Sequence, residues 1–237
     1  GAVVLYGRFA ERARGEDSWA LPRDGTPTRV DAPVETLTRS HSQQSGLTLI
    51  SSNLDAFAAR GLSARVAGRS LDVMYYIWKD DLSGRLLMSE LVAAADRGVR
   101  VRMLLDDIGV KLDEEVYLGL ASHPKIELRL FNATRARPGS LQRGFEMILR
   151  AWSMNRRMHN KAWIVDGRVL IAGGRNIGDE YFDAGETSNF RDLDLLALGP
   201  VVGQAETMFD RYWNSGLALP ITALADAKPD ALERLRR

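Results

Sequence analysis

The stretch Met158-His-Asn-Lys-Ala-Trp-Ile-Val-Asp166-Gly167, with Gly173-Gly-Arg-Asn-Ile-Gly-Asp-Glu-Tyr-Phe182 shortly after it, decides how this chain is read. Ala162-Trp-Ile-Val165 and Val169-Leu-Ile-Ala172 are short apolar runs joined by Asp166-Gly167-Arg168. Asp-Gly between apolar runs predicts a β-hairpin. Side chains alternate along a strand, so His159 and Lys161, at the entry to the first run, point the same way. A neutral imidazole can be a nucleophile, and an ammonium two residues away can hold phosphate oxygens. Asn176 offers a further donor from the start of a predicted helix, and Gly173 and Gly174 let backbone approach a ligand closely. Each residue also has a plainer explanation: a lone strand histidine is usually structural, and Asp166 with Gly167 makes a turn. Those explanations leave the joint spacing unaccounted for.

Outward from this core, the preceding sequence alternates strand and helix patterns. Leu71-Asp-Val-Met-Tyr-Tyr-Ile-Trp78, Val99-Arg-Val-Arg-Met-Leu-Leu105 and Ile126-Glu-Leu-Arg-Leu-Phe131 read as strands. Asn53 is the expected cap of a helix whose apolar positions are Leu54, Phe57, Ala58, Leu62 and Val66, and Ser83 of one carrying Leu86, Leu87, Leu91, Val92 and Ala95. A third helix is expected from Asp113 to Ala121. The β-α-β-α-β order predicts an α/β fold with a mixed, mostly parallel sheet and helices on its faces. A strand over Leu193–Leu198 and a helix over Val201–Trp213 complete the domain. The expected division is a leader over residues 1–48, extended or partly mobile and punctuated by Pro22, Pro27 and Pro33, a domain over 49–218, and a tail or linker over 219–237.

With 237 residues, 45% hydrophobic and 27% charged, the chain can bury a substantial core. A formal net charge of +1 argues against strong global attraction to nucleic acid or anionic lipid, though local basic patches stay open. The absence of cysteine rules out disulfides, thiolate zinc sites and a cysteine nucleophile. The apolar run Gly1–Gly7 is too short to span a bilayer and reads either as a strand or chain end, or as the remnant of a removed anchor or signal. Arg135, Arg137, Arg143, Arg150, Arg156 and Arg157, interleaved with Leu141, Phe145, Met147, Ile148, Leu149 and Trp152, fit an ordinary amphipathic helix or an interfacial segment meeting phosphate head groups. The adjacent Asp106 and Asp107 could suggest a magnesium site, but neighbouring strand residues face opposite sides, which favours a strand-end loop or helix cap.

The pattern His-x-Lys, four residues, Asp, then Gly-Gly-x-Asn resembles the HKD motif of the phospholipase D superfamily. Tyr75-Tyr-Ile-Trp78, Leu104-Leu-Asp-Asp107 and Gly173–Phe182 are more narrowly similar to bacterial cardiolipin synthases of the C-type branch, over about Asp55 to Trp213. The resemblance implies a phospholipase D-like α/β/α sandwich and phosphatidyl transfer through a phosphohistidine. In that scheme His159 attacks phosphorus or protonates the leaving alkoxide, and Lys161 and Asn176 stabilise the equatorial oxygens. Asp192, with Asp194 second in line, is expected to orient the imidazole, and Asp166 belongs to the motif in either a catalytic or a turn-closing role. Tyr75, Tyr76, Trp78, Trp152 and Met154 are expected near the pocket mouth, one of the two tyrosines belonging to the core; Gly173, Gly174 and Arg157 are expected to bind substrate. The implied scheme uses no cofactor or metal. Implied partners are phosphatidylglycerol and phosphatidylethanolamine, the bacterial inner membrane, and a second HKD half in the same polypeptide or a second copy, with no nucleic acid expected. The family's lipid enzymes carry two motifs and this chain carries one, so it is expected to be an incomplete site by itself. A phospholipase or nuclease using water, and a catalytically silent lipid-binding half, are the alternatives.

Overall fold

The computed structural model describes residues 13–108, 110–111, 114–133, 157–225 and 230–235. The apolar run 1–7, the arginine-rich stretch up to Arg156 with Trp152 and Met154, and Lys228 lie outside the described residues. Eight strands form one sheet in the order β1-β9-β8-β7-β2-β4-β6-β10. These are β1 (Gly46–Ile50), β2 (Ser70–Tyr75), β4 (Arg100–Asp106), β6 (Ile126–Phe131), β7 (Ala162–Val165), β8 (Val169–Gly173), β9 (Asp194–Leu198) and β10 (Ala218–Pro220). Two short strands, β3 (Trp78–Lys79) and β5 (Val110–Lys111), pair separately.

The sheet is mixed, but the expectation that it is mostly parallel needs correction. Only β2, β4 and β6 run parallel, because helical crossovers join them. The remaining neighbours pair antiparallel, since a hairpin and return strands supply them. On one face lie helices α2 (Asn53–Val66), α3 (Leu82–Asp96) and α4 (Glu114–Ala121), covering Leu71, Val73, Val101, Met103, Leu128 and Trp163. The other face carries α5 (Pro200–Trp213), whose Val202, Phe209 and Trp213 pack on Met74, Leu104 and Ile164. A helix α1 (Asp31–Thr38) precedes β1, and α6 (Ala231–Leu235) ends the described chain.

Local chemistry sets the element ends. Ser52, not Asn53, caps α2 by accepting from Asp55 N–H; Asp81, not Ser83, caps α3 by accepting from Gly84 N–H. Helix α2 also presents a different face from the expected one. Leu54, Leu62 and Val66 are exposed, while Ala56, Arg60 and Ala64 are buried. Small side chains let the helix approach the sheet closely, and Arg60 is tolerated because its polar atoms are satisfied inside. The residues before α1 run along α5: Ser18 N–H donates to the Asn214 side chain, Ala20 N–H to Asp210, and Arg23 pairs with Glu206.

Candidate active site

The parallel strands β2, β4 and β6 end on the same side of the sheet, where β7 and β9 begin and β8 ends. Carboxyl ends of parallel strands are where an α/β sheet leaves room for a ligand. His159 and Lys161 stand there, at the entry to β7. The histidine is exposed; Lys161 is buried. Lys161 Nζ lies 3.1 Å from His159 Nδ1 and 3.4 Å from Nε2, and donates to the His159 carbonyl at 2.7 Å. Burial pushes the Lys161 ammonium below its ordinary pKa, and the Asp192 carboxylate opposes that shift. A buried ammonium with few acceptors is poised for an anion.

The chain reaches this position because of Asp106, a buried carboxylate at the end of β4. Its Oδ2 accepts from Met158 N–H at 3.1 Å, fixing the residue before His159, and its Oδ1 accepts from Ile108 N–H. Asp106 thus has a positioning task that sequence reasoning missed. Among the described residues, no group of three or more His, Cys, Asp or Glu side chains could hold a metal ion. Arg157 is half-buried, with Nη1 3.8 Å from Asp106 Oδ1.

Asn176 lies in a loop rather than at a helix start. Its Oδ1 accepts from Ile77 N–H at 3.1 Å, which identifies the other end of the amide as the donor. One of its N–H bonds goes to the Tyr181 hydroxyl at 3.0 Å. An amide nitrogen carries two, and among the described residues the second has no hydrogen-bond partner. Asp192 sits against Gly174: a Cβ added at that glycine would lie 2.0 Å from Asp192 Oδ1. Gly173 is equally tight against Asp194 and Leu193. The two glycines therefore make room for the Asp192 and Asp194 carboxylates. Among the described residues no hydrogen bond joins Asp192 to the imidazole, and Asp192 Oδ1 accepts instead from its own neighbour Leu193 N–H.

Three further expectations are corrected. Asp194 is fully committed behind the site, pairing with Arg60 at 2.9 Å and Arg175 at 3.5 Å, all three buried. Tyr75 belongs to the same network: its hydroxyl accepts from Arg60 Nε, and the side chain is buried. Trp78 is buried too, its indole N–H donating to the Gly84 carbonyl and its ring edge-on to Tyr75. Neither aromatic lines a pocket mouth. The tyrosine that does meet the site is Tyr76, whose ring centroid is 5.0 Å from that of His159. Strand alternation alone required one of the pair to face away. Arg60 and Arg175 had no signal in the sequence, since a helical or loop arginine ordinarily faces water.

Asp166 lies at the opposite end of β7, roughly 20 Å along an extended chain from His159. Its carboxylate accepts from the backbone N–H of Gly68, Arg69 and Ser70 at 3.0, 2.7 and 2.9 Å, and it is wholly buried. Its φ of 53° and that of Gly167, 65°, form the tight turn, closed by Arg168 N–H on the Val165 carbonyl at 2.8 Å. Of its two possible roles, this geometry supports the turn.

The family model described as "Cardiolipin synthase, PLD-like domain" matches residues 63–213, from within α2 to the end of α5. The chain belongs to this phospholipase D-like family. It is 49% identical over 198 residues to cardiolipin synthase C of Escherichia coli (strain K12), covering 84% of this chain and 41% of that protein. A cardiolipin synthase of Oceanobacillus iheyensis is 26% identical over 175 residues, 73% of this chain and 34% of that one. The chain thus spans about two fifths or less of the length of these relatives. Among solved structures, NucT from Helicobacter pylori aligns with a TM-score of 0.54 at 15% identity, over 75% of this chain and 98% of that chain. Phosphatidylserine synthase from Haemophilus influenzae Rd KW20 aligns with a TM-score of 0.58 at 12% identity, over 80% and 42%. At such identities these two show the shared phospholipase D-like fold alone.

Proposed function

We propose that this phospholipase D-like domain supplies one half of a phosphatidyltransferase site for cardiolipin synthesis. The observation that carries the reading is the exposed His159 imidazole held against the buried Lys161 ammonium at the open end of the sheet. The identity to E. coli cardiolipin synthase C supports the choice of a phospholipid over other phosphodiesters.

In the proposed reaction an imidazole nitrogen attacks the phosphorus of a phospholipid. A P–N bond forms, the P–O bond to the departing head-group alcohol breaks, and a second histidine protonates that alkoxide. Lys161 and the Asn176 amide would hold the non-bridging oxygens, whose charge rises in the transition state. A hydroxyl of phosphatidylglycerol, deprotonated by the second histidine, then attacks phosphorus and displaces His159. If His159 is instead the acid and base, the roles exchange. Either way the displacement needs groups on both sides of phosphorus. Among the described residues, His123 is tied to Asp96 at 3.1 Å and to Lys125 N–H, and His41 lies beside β1, so neither serves as the opposing group. A second half, in the same polypeptide or another copy, completes the site in this reading. The substrates place the assembly at the bacterial inner membrane, although among the described residues no helix is long and apolar enough to cross one.

The test uses the full-length protein, or the chain with its partner half, on liposomes of phosphatidylglycerol and phosphatidylethanolamine. Cardiolipin should form, and His159→Ala should lower turnover by on the order of a thousandfold. Phosphatidic acid as the sole product would make the enzyme a phospholipase. Cleavage of single-stranded DNA without lipid turnover would make it a nuclease, and no turnover at all a silent half.

A further inference from the structure

Asp194 is locked to buried arginines behind the site, and Asp192 Oδ1 accepts from Leu193 N–H. A group that meets the His159 ring directly is Tyr76. Its ring lies 5.0 Å from the His159 ring at an interplanar angle of 44°, and Lys161 Nζ stands 5.8 Å from the centroid of the same phenol ring. The chain holds Tyr76 in place from both sides. Tyr75 is buried with its hydroxyl on Arg60, and Ile77 is fixed at both backbone groups, its N–H donating to Asn176 Oδ1 and its carbonyl accepting from Ile177 N–H. The residue between two such anchors has little freedom, so its half-buried ring forms a fixed wall.

We infer that Tyr76 is a positioning residue whose ring face holds His159 and Lys161 in their working arrangement. The inference rests on His159 being the reacting group of the proposed transferase. The physical basis is the negative face of an aromatic ring, which attracts an ammonium and, when the histidine is protonated, an imidazolium, while contact with the tilted ring limits rotation of the imidazole. A ring orients both groups and leaves their donors free. The ring, not the hydroxyl, performs this task.

Two variants separate ring from hydroxyl. In the full-length protein, Tyr76→Leu should lower kcat by roughly tenfold with KM for lipid changed less than about twofold, the scale of losing one cation–π contact to Lys161 together with the ring contact to His159. Tyr76→Phe should stay within about threefold of the parent in both, because its ring is retained. Parental kcat in Tyr76→Leu would overturn the inference, and so would a Tyr76→Phe variant as impaired as Tyr76→Leu, which would move the role to the hydroxyl. A second measurement needs no substrate. The chain has three histidines, so the ring signals of His159 can be assigned by comparison with His159→Gln. In the parent they should show cross-relaxation to the Tyr76 ring and to the Lys161 side chain; in Tyr76→Leu, beyond the shift that the lost ring current brings by itself, the His159–Lys161 cross-relaxation should be lost, while the buried His123 signals stay put and certify the fold. Retained His159–Lys161 cross-relaxation would overturn the inference whatever the natural substrate is. Its loss in a protein that turns over no lipid would preserve the inference while removing the transferase reading.

Discussion

Replacing Asp166 by Ala tests whether this member of the motif serves the fold or the chemistry. The substitution removes the acceptor of three backbone N–H groups, of which Ser70 is buried, Arg69 half-buried and Gly68 exposed. A hydrogen bond to a charged acceptor contributes about 1.5–3 kcal/mol, and a stranded buried donor costs a similar amount. Water can reach Gly68 and partly Arg69, so the sum is about 4 kcal/mol. Alanine at a φ of 53° adds roughly 1 kcal/mol. For a domain of this size the total lowers Tm by roughly 10–15 °C. Asp166→Asn keeps one oxygen and tolerates the left-handed conformation, so about half the loss is expected. Urea unfolding of this chain gives the stabilities, and turnover of the full-length variants below their transitions gives activity per folded molecule. That activity should remain within a few-fold of the parent. Parental stability in Asp166→Ala, or a hundredfold loss of turnover in a protein that is still folded, would refute the structural role.

Asp192 raises the Lys161 ammonium against the pull of burial, so Asp192→Asn should lower it further. The alkaline limb of the pH–rate profile is then expected at lower pH; an unmoved limb would separate Asp192 from Lys161. Arg60→Leu takes from Asp194 the nearer of its two buried cations, leaving Arg175, and from the Tyr75 hydroxyl its partner in the core, and should cost about 3 kcal/mol in urea unfolding. Asp31 is buried, which pushes its carboxyl up, but the Thr28 N–H and then Arg168 and Arg69 outweigh burial and hold it at about 2 against an ordinary 3.8. A depressed carboxylate stabilises the fold above its unfolded pKa, so this contribution should be lost as pH falls from 3.8 toward 2, and Asp31→Asn should flatten that part of the stability curve.

What could be read from the sequence was mostly local. The β7–β8 hairpin was legible because Asp166-Gly167 states its own turn geometry, and β6 was legible as an alternating run ended by Asn132. Sheet order was not, because which strand returns beside which depends on contacts far apart in sequence. The face of α2 was misjudged for a related reason. Leu54, Leu62 and Val66 repeat at the same helical period as Ala56, Arg60 and Ala64, and periodicity gives angles around a helix without saying which side meets the sheet. At the site, alternation placed His159 with Lys161 and separated Tyr75 from Tyr76 without deciding which one turned outward. That decision belongs to Arg60, a buried cation whose hydrogen bond claims the Tyr75 hydroxyl.

The two ends of β7 meet different requirements. Under the proposed function, loss of His159 at one end is felt through turnover; at the other, loss of Asp166 is felt through the amount of folded protein, whatever that protein does. If a gene duplicate carrying this domain were relieved of its reaction, His159 and Lys161 would be free to drift while Asp166 and Gly167 stayed under constraint. A sequence with the aspartate-glycine turn intact and the histidine gone would then record a retired enzyme that still has to fold, and the surviving half of the motif would be a marker of ancestry without being a marker of catalysis.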